Sequence, residues 1–396
     1  MDQCVILVGG KGTRLGKLTR NFPKPMIEVN GKPFLLYILD YIQRFGFKEI
    51  ILLSSHGSEY LQDYFKDFKY KNCNITILKE ETPLGTGGAL VNSYEYLDDS
   101  FFCLNGDSIV EGNWLSIIQD FNKTCDCVVA LTKVDDPKRY GTVKLENSLI
   151  KKFYEKKESE NSQYINAGIY IFRKQIFKKY RKEFISLEKD ILPALAEDQK
   201  IKGRYVGGYF IDIGTPTSLE EGINRKWGEE KKAVIFDRDG TLNEDDGYTY
   251  KTSDLKWKKG AIDLIKYCND KNFYVFVATN QSGIAKNKFK ESDMHKFHDE
   301  MQKQLKIYGA HIDKFYFSPY HVDSLLPEYK KDSKYRKPNI GMLQQIQNEW
   351  ALSNKNMTMI GDRETDVQCA QNFKIKGFLY NGKDNLFDTY MGKIFE

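Results

Sequence analysis

Seven cysteines are scattered through the 396 residues, and none belongs to a Cys-x-x-Cys pair. This odd, unpaired set argues against a disulfide framework and predicts a reducing compartment. Long apolar runs are missing too. Nothing in the sequence is apolar over the length a bilayer demands, and no basic segment with a cleavage site precedes the apolar Cys4-Val-Ile-Leu-Val8. The expectation is a chain that is neither secreted nor membrane-spanning, located in the cytoplasm. Excess charge of one sign is also absent: 60 basic against 55 acidic residues leave a formal net charge of +5, which demands no nucleic-acid partner. There is no low-complexity tract, and no hexapeptide period of the kind that builds a β-helix. What remains is ordinary globular material, 41% hydrophobic and 29% charged, and a length that predicts two units.

Short β-branched runs alternate with helical patterns, the mark of parallel-sheet α/β architecture, and they do so twice. The first series of strands is predicted at 5–8, 49–53, 75–78, 101–104, 127–131, 143–145 and 165–172. The pattern breaks at Asn224-Arg-Lys-Trp-Gly-Glu-Glu-Lys-Lys232, which is charged and has no apolar period. It restarts with Ala233-Val-Ile-Phe236 and continues at 274–278, 315–317, 357–360 and 377–380. An amphipathic helix is predicted over 291–308. These breaks divide the chain into a unit at 1–226, a linker at 227–232 and a unit at 233–396.

In the first unit the opening strand delivers Gly9-Gly-Lys-Gly-Thr-Arg-Leu15, followed by Pro23-Lys24-Pro25. Glycines at a strand end let backbone amides approach phosphates, and a nearby arginine and lysine can neutralise them. Such a loop alone is a plain turn about as often as a phosphate cradle. Further on, Asp107 follows a buried strand in Asn105-Gly-Asp107, and Asp212 stands in Asp212-Ile-Gly-Thr-Pro216. Either aspartate alone reads as a turn or a helix cap; converging, the two can hold Mg²⁺. These words, with Leu84-Gly-Thr-Gly-Gly-Ala89, Phe153-Tyr-Glu-Lys156 and Asn166-Ala-Gly168 in this order, resemble the sugar-1-phosphate nucleotidyltransferase family, nearest to its heptose-1-phosphate guanylyltransferase branch.

The resemblance implies a Rossmann-like, GT-A-like mixed sheet and roles for matching residues. Gly9, Gly10, Gly12, Thr13 and Arg14 would bind the nucleotide phosphates, and Lys24 would stabilise charge during transfer. Gly85, Gly87 and Gly88 would line the base pocket, while Gly141, Glu155, Lys156 and Asn166 would face the sugar phosphate. Asp107 and Asp212 would hold Mg²⁺. Where the family has Glu-Lys-Pro this chain has Glu155-Lys156-Lys157. Attack by a sugar-phosphate oxygen on a nucleotide α-phosphorus needs positioning and charge neutralisation more than a strong base, which suits glycines, cations and carboxylates.

In the second unit Val234-Ile-Phe-Asp237-Arg-Asp239-Gly-Thr241 puts two carboxylates, two residues apart, on one side of the chain beyond a parallel strand. Thr279-Asn-Gln-Ser282, Arg336-Lys-Pro338 and Ile360-Gly-Asp362-Arg-Glu-Thr-Asp366 follow in order. The set resembles the haloacid dehalogenase phosphatase superfamily, nearest to its heptose-bisphosphate phosphatases. That implies a parallel sheet, with Asp237 as nucleophile and Asp239 as acid and base. Thr279, Asn280, Arg336 and Lys337 would bind phosphate. Asp237, Asp239 through its backbone carbonyl, and Asp362 would hold Mg²⁺, with Asp366 behind them. The stretch between the first two motifs is too short for a large cap. Relatives carry a zinc loop built on Cys-x-His and Cys-x-Cys; here Ser318-Pro-Tyr320 and Ser333-Lys-Tyr335 stand there. His321 alone cannot close a tetrahedral site, so no zinc is expected, and Tyr320 and Tyr335 are expected to hold the loop by packing.

Other features carry less. Cys125-Asp-Cys127 reads as buried, His295 and His298 as an exposed helix face, and the lysine-rich 151–160 and 330–334 as solvated loops. The two resemblances meet at one metabolite: a phosphatase acting on heptose 1,7-bisphosphate would leave the heptose 1-phosphate that a GTP-dependent transferase converts to GDP-heptose. Two alternatives stay open. Both chemistries could serve another sugar phosphate or UTP, dTTP or CTP, or one unit could be a silent scaffold or regulatory module. No membrane or nucleic-acid partner is expected.

Overall fold

The structure is a computed structural model. It describes residues 1–394 except Lys11, Asn21, 68–72, 138–139, 155–161, Lys182 and 226–230. The chain divides into two compact units, Met1–Arg225 and Lys226–Glu396.

The first unit is built on a nine-stranded mixed sheet. Its spatial order begins Asn74–Lys79, Glu49–Ser54, Gln3–Leu7, Ser100–Asn105, and these four strands run parallel. Cys4, Val5 and Ile6 are fully buried in succession, as are Phe101, Phe102 and Cys103, because helices cover both faces of a parallel strand. Tyr164–Arg173 then pairs antiparallel with both Ser100–Asn105 and Cys127–Lys133, and Ile201–Tyr205, Leu149–Tyr154 and Thr142–Glu146 complete the order. Rings of Phe101, Tyr170, Phe172 and Phe177 form one core cluster. Cys125 and Cys127 are buried, as the sequence predicts.

The lysine-rich stretch from 151 is partly a correction. Leu149–Tyr154 is a strand whose register with Thr142–Glu146 shifts between Ile150 and Lys152. The extra residue of that irregularity sets two lysines side by side and hides the alternation that buries Ile150 and Tyr154.

The second unit carries a five-stranded, wholly parallel sheet in the order Lys314–Ser318, Tyr274–Asn280, Ala233–Phe236, Met357–Gly361, Lys376–Leu379. In both units the first strand lies between its second and fourth in chain order. The sheet's connections reverse direction there, leaving a crevice at the strands' carboxyl ends. The helix Glu291–Ile307 buries Met294, Phe297, His298, Met301 and Leu305. His298 therefore corrects the expectation of an exposed pair: it belongs to the i, i+4, i+7 stripe set by Met294 and Met301, while His295 stays exposed.

Where relatives would carry a metal loop, Tyr320 packs on Tyr329 with centroids 6.1 Å apart, and Lys331 lies 3.9 Å over the Tyr320 ring. Tyr335 packs against the core, its amide donating to the buried Ser333 hydroxyl at 3.2 Å. Among the described residues no helix is long and apolar enough to cross a membrane.

Phe276 is fully buried among Tyr274, Tyr316 and Trp350. Phe276→Ala should lower the unfolding free energy of the second unit by about 3–5 kcal/mol, read by urea denaturation. A loss below about 1 kcal/mol would contradict this packing.

Candidate active sites

In the first unit Lys24 is the hub. Pro23 enters extended and starts the short 3-10 turn Lys24–Met26, which sinks the lysine into the sheet end; its amide donates to the Gly10 carbonyl at 3.4 Å, tying it to the glycine loop. The ammonium reaches two carboxylates, bonding Asp107 closely and lying 3.6 Å from Asp212. Those aspartates are brought together by the antiparallel pair Ser108–Val110 and Phe210–Asp212, in which Asp212 faces Ser108. The Thr215 hydroxyl caps the helix Pro216–Asn224 immediately after.

The other expected residues distribute unevenly. Gly9 accepts from the Ser55 hydroxyl through its carbonyl at 2.9 Å, and Arg14 is exposed. The helix Gly85–Asn92 contains Gly87 and Gly88, whose amides both donate to the Ile185 carbonyl; a Cβ on Gly88 would sit 2.6 Å from the Glu183 carbonyl. These two glycines serve close packing. Asn166 donates to the Tyr170 hydroxyl at 2.8 Å and accepts from the Gly168 amide at 2.9 Å. Gly141 adjoins the Tyr154 carbonyl. Glu155, Lys156 and the Thr13 side chain lie outside the described residues.

One residue was not anticipated from the sequence. Glu80 follows the strand Asn74–Lys79 and is buried, with a hydrogen bond from the Leu84 backbone and no partner for Oε1 among the described residues. Burial pushes its carboxyl up to about 7.

In the second unit Asp237 ends the strand Ala233–Phe236 and Asp362 follows Met357–Gly361, so both stand at the crevice. Asp237, Asp362 and Asp366 bring carboxylate oxygens within 4.8 Å of one another. Lys337 Nζ bridges two of them, at 2.7 Å from Asp237 Oδ1 and 2.6 Å from Asp366 Oδ1. Asn280 fixes that lysine by two backbone bonds, one to the Lys337 carbonyl and one from its amide, each 3.0 Å. Thr241 donates to Asp362 at 3.1 Å. Gly240, at φ +83°, leaves room for Asp362: a Cβ there would lie 2.3 Å from its Oδ2.

Burial raises the Asp237 carboxyl to about 7, against the pull of Lys337 and with a push from Asp366. Fully ionised, three carboxylates against one ammonium would leave two negative charges in this cluster, and a divalent cation would relieve them. The donor set fits Mg²⁺. Asp366 stands nearer this centre than the sequence reading put it. The Asp239 side chain lines the crevice outside this cluster, held by Arg238, Gln281 and Asn243.

Asp237, Asp366 and Lys337 of this cluster line a cavity of about 420 Å³. Thr279, nearly fully buried, lines it with Lys337; Lys286, His321, Arg336 and Arg363 stand around it. Burial, then the neighbouring Arg336 and Lys286, holds the His321 imidazole below its usual range. Asp245 and Glu364 also line it, so outside the cluster, with Asp239 paired to Arg238, Lys286, Arg336 and Arg363 leave the lining a cationic excess of one.

The two lysines should differ in cost. Lys337→Met strands two buried carboxylates and should cost about 3–5 kcal/mol in chemical denaturation at pH 8 in chelator. Lys24→Met leaves carboxylates that are a third exposed and can rehydrate, so its cost should stay below about 1.5 kcal/mol. Equal losses would contradict the difference in burial.

Residues 3–227 match the family model described as nucleotidyl transferase, and residues 232–376 match that described as polynucleotide kinase 3 phosphatase. A probable mannose-1-phosphate guanylyltransferase 2 of Oryza sativa subsp. japonica is 34% identical over 230 residues, covering 56% of this chain; the chain spans 63% of that relative's length. The D-glycero-alpha-D-manno-heptose 1-phosphate guanylyltransferase of Campylobacter jejuni is 35% identical over 215 residues, which are 54% of this chain and 95% of the relative. Among solved structures, HddC from Yersinia pseudotuberculosis aligns with a TM-score of 0.51 at 33% identity, over 56% of this chain and 98% of its own; it has also been solved complexed with GMP-PN. Matched over more than half its length, and with its glycine loop, Lys24 and paired aspartates at one sheet end, the chain belongs to the nucleotidyl transferase family and carries a second, phosphatase-family unit behind it.

Proposed function

We propose that the chain is a bifunctional enzyme of heptose activation. It removes the 7-phosphate of D-glycero-D-manno-heptose 1,7-bisphosphate and then transfers GMP from GTP to the heptose 1-phosphate. The observation that carries this reading is the phosphatase crevice. Its buried lysine is committed to the reacting carboxylates, and Lys286, Arg336 and Arg363 remain to receive a second phosphate on the same substrate. The relative spanned almost whole by the first unit is a heptose 1-phosphate guanylyltransferase, the protein whose substrate such a phosphatase would release.

Asp237 attacks phosphorus through a carboxylate oxygen as the bond to the sugar oxygen breaks, and Asp239 gives that oxygen a proton. Water then gives Asp239 a proton and attacks the aspartyl phosphate, freeing phosphate. Thr279, Asn280 and Lys337 hold the phosphoryl group. In the first unit a sugar-phosphate oxygen attacks the α-phosphorus of GTP and pyrophosphate leaves, with the glycine loop and Lys24 orienting the phosphates. Asp237, Asp362 and the Asp239 carbonyl in one unit, and Asp107 and Asp212 in the other, would hold Mg²⁺, which when bound offsets the charge of phosphate oxygens.

Glu80 supports guanine over other bases. It is tied to Leu84, which opens the Leu84–Ala89 segment assigned to the base pocket, and a carboxylate facing a guanine would use both oxygens on its N1–H and N2–H₂, an edge that uracil, thymine and cytosine do not present. Its folded pKa, near 7, exceeds the ordinary 4.5, so the folded chain binds the proton more tightly and Glu80 costs stability as pH rises from about 5 to 8. Glu80→Gln should abolish that loss, on the order of 1–3 kcal/mol, in thermal scans across this range. Guanine needs the ionised form, so the wild-type KM for GTP should fall as pH rises through 7, and that slope should vanish in Glu80→Gln.

The deciding experiment incubates the full chain with heptose 1,7-bisphosphate and each of four nucleoside triphosphates. Phosphate release lost only in Asp237→Asn, and GDP-heptose lost only in Asp107→Ala, is the expected result. Preference for another triphosphate, or for a 3′-phosphorylated oligonucleotide as phosphatase substrate, would overturn it.

A further inference from the structure

The residue between the two phosphatase aspartates is a fully buried arginine. A guanidinium withdrawn from water costs several kcal/mol unless it is paired, and an apolar residue would fill the same space against the Phe297 ring more cheaply. Arg238 spends its donors on one target above all. Nε donates to Asp239 Oδ1 at 2.9 Å and Nη2 to Asp239 Oδ2 at 2.7 Å, a two-pronged grip that fixes the carboxylate's plane. Gln281 and Asn243 add one donor to each oxygen, at 2.8 and 3.1 Å.

The grip is itself anchored. Arg238 Nη1 lies 3.1 Å from His298 Nε2, and because arginine only donates, that nitrogen accepts and the imidazole is neutral. The imidazole lies flat on Phe315, with centroids 4.2 Å apart at 11°. Gln281 closes the circuit: its Oε1 accepts from Arg238 at 3.1 Å while its Nε2 also donates to the Thr279 hydroxyl at 2.9 Å. The proton-transfer group is thus linked to the phosphoryl-binding threonine through one side chain.

We propose that Arg238, anchored by His298, is the positioning residue that aims Asp239 at the leaving oxygen of the substrate. The inference rests on the phosphatase reading above. Arg238 also donates to the Thr249 carbonyl at 2.9 Å, so a merely structural role is the competing account. The leaving group separates the two. Release of an alkoxide from a sugar phosphate needs the proton of Asp239, whereas nitrophenolate leaves p-nitrophenyl phosphate without one.

Measured on the full chain with Mg²⁺, Arg238→Met should lower kcat/KM for the sugar phosphate by about 100-fold and for p-nitrophenyl phosphate by less than about 5-fold. Asp239→Ala should show the same pattern, and combining the two should add little, since one acts through the other. His298→Leu should give a smaller loss of the same kind, about 10-fold on the sugar phosphate alone, and His298→Gln, which keeps an acceptor, should restore it. Parallel losses on both substrates, additive losses in the double variant, or a sugar-phosphate rate unchanged in His298→Leu and Arg238→Met would overturn the inference. Hydrolysis by the wild type that survives Asp237→Asn would instead remove the phosphatase reading, and the inference with it.

Discussion

An ammonium shared by two carboxylates stands at the working end of each sheet: Lys24 with Asp107 and Asp212, Lys337 with Asp237 and Asp366. Parallel strands and loops deliver these acidic groups to one place, and without the shared cation their mutual repulsion and lost hydration would oppose folding. The lysines also set what the sites can hold. In the phosphatase unit full ionisation would leave two negative charges, a deficit that the raised Asp237 carboxyl registers and a divalent ion would cover. In the transferase unit the aspartates keep a third of their surface in water, and the lysine leaves the pair a single negative charge that solvent can share.

Both sites use the same geometric opportunity. A strand flanked by its successor on one side and a later strand on the other opens a crevice, and each chain segment leaving that crevice carries chemistry: the glycine loop and Asp107 in one unit, Asp237 and Asp362 in the other. The units diverge in what surrounds the crevice. The transferase sheet turns mixed beyond Ser100–Asn105, with Tyr164–Arg173 antiparallel, and brings in Asn166 and Asp212 from later segments. The phosphatase sheet stays parallel and is flanked instead by cationic loops.

Much of this was legible in the sequence, for a physical reason. Central parallel strands are buried on both faces, so Val-Ile-Phe and Phe-Phe-Cys-Leu announce themselves as unbroken apolar runs, and the acids that follow are placed by the strand end alone. Leu149–Tyr154 was hidden because a register irregularity set two lysines together. Arg238 and Gln281 lie inside motifs read for their neighbours; which way a side chain points within a loop is a property of packing, and no periodicity encodes it. His298 was misread from its charged surroundings, although the spacing to Met294 and Met301 carried the correct signal. Glu80 was not singled out: in sequence it is one of two adjacent glutamates, and its burial beside the Leu84 backbone follows from the fold.

The contiguity of the two units has a consequence for how the chain is made. Every strand and every carboxylate of the first site belongs to Met1–Arg225, so that unit has all its partners once this length has left the ribosome. The second site waits longer. Asp237 emerges early in its unit, but the ammonium that neutralises it arrives 100 residues later, and Asp366 later still. A nascent chain of intermediate length therefore carries a finished transferase fold attached to phosphatase carboxylates that are still hydrated. Synthesis thus completes the nucleotidyl transferase unit while the phosphatase-family unit is still acquiring its lysine.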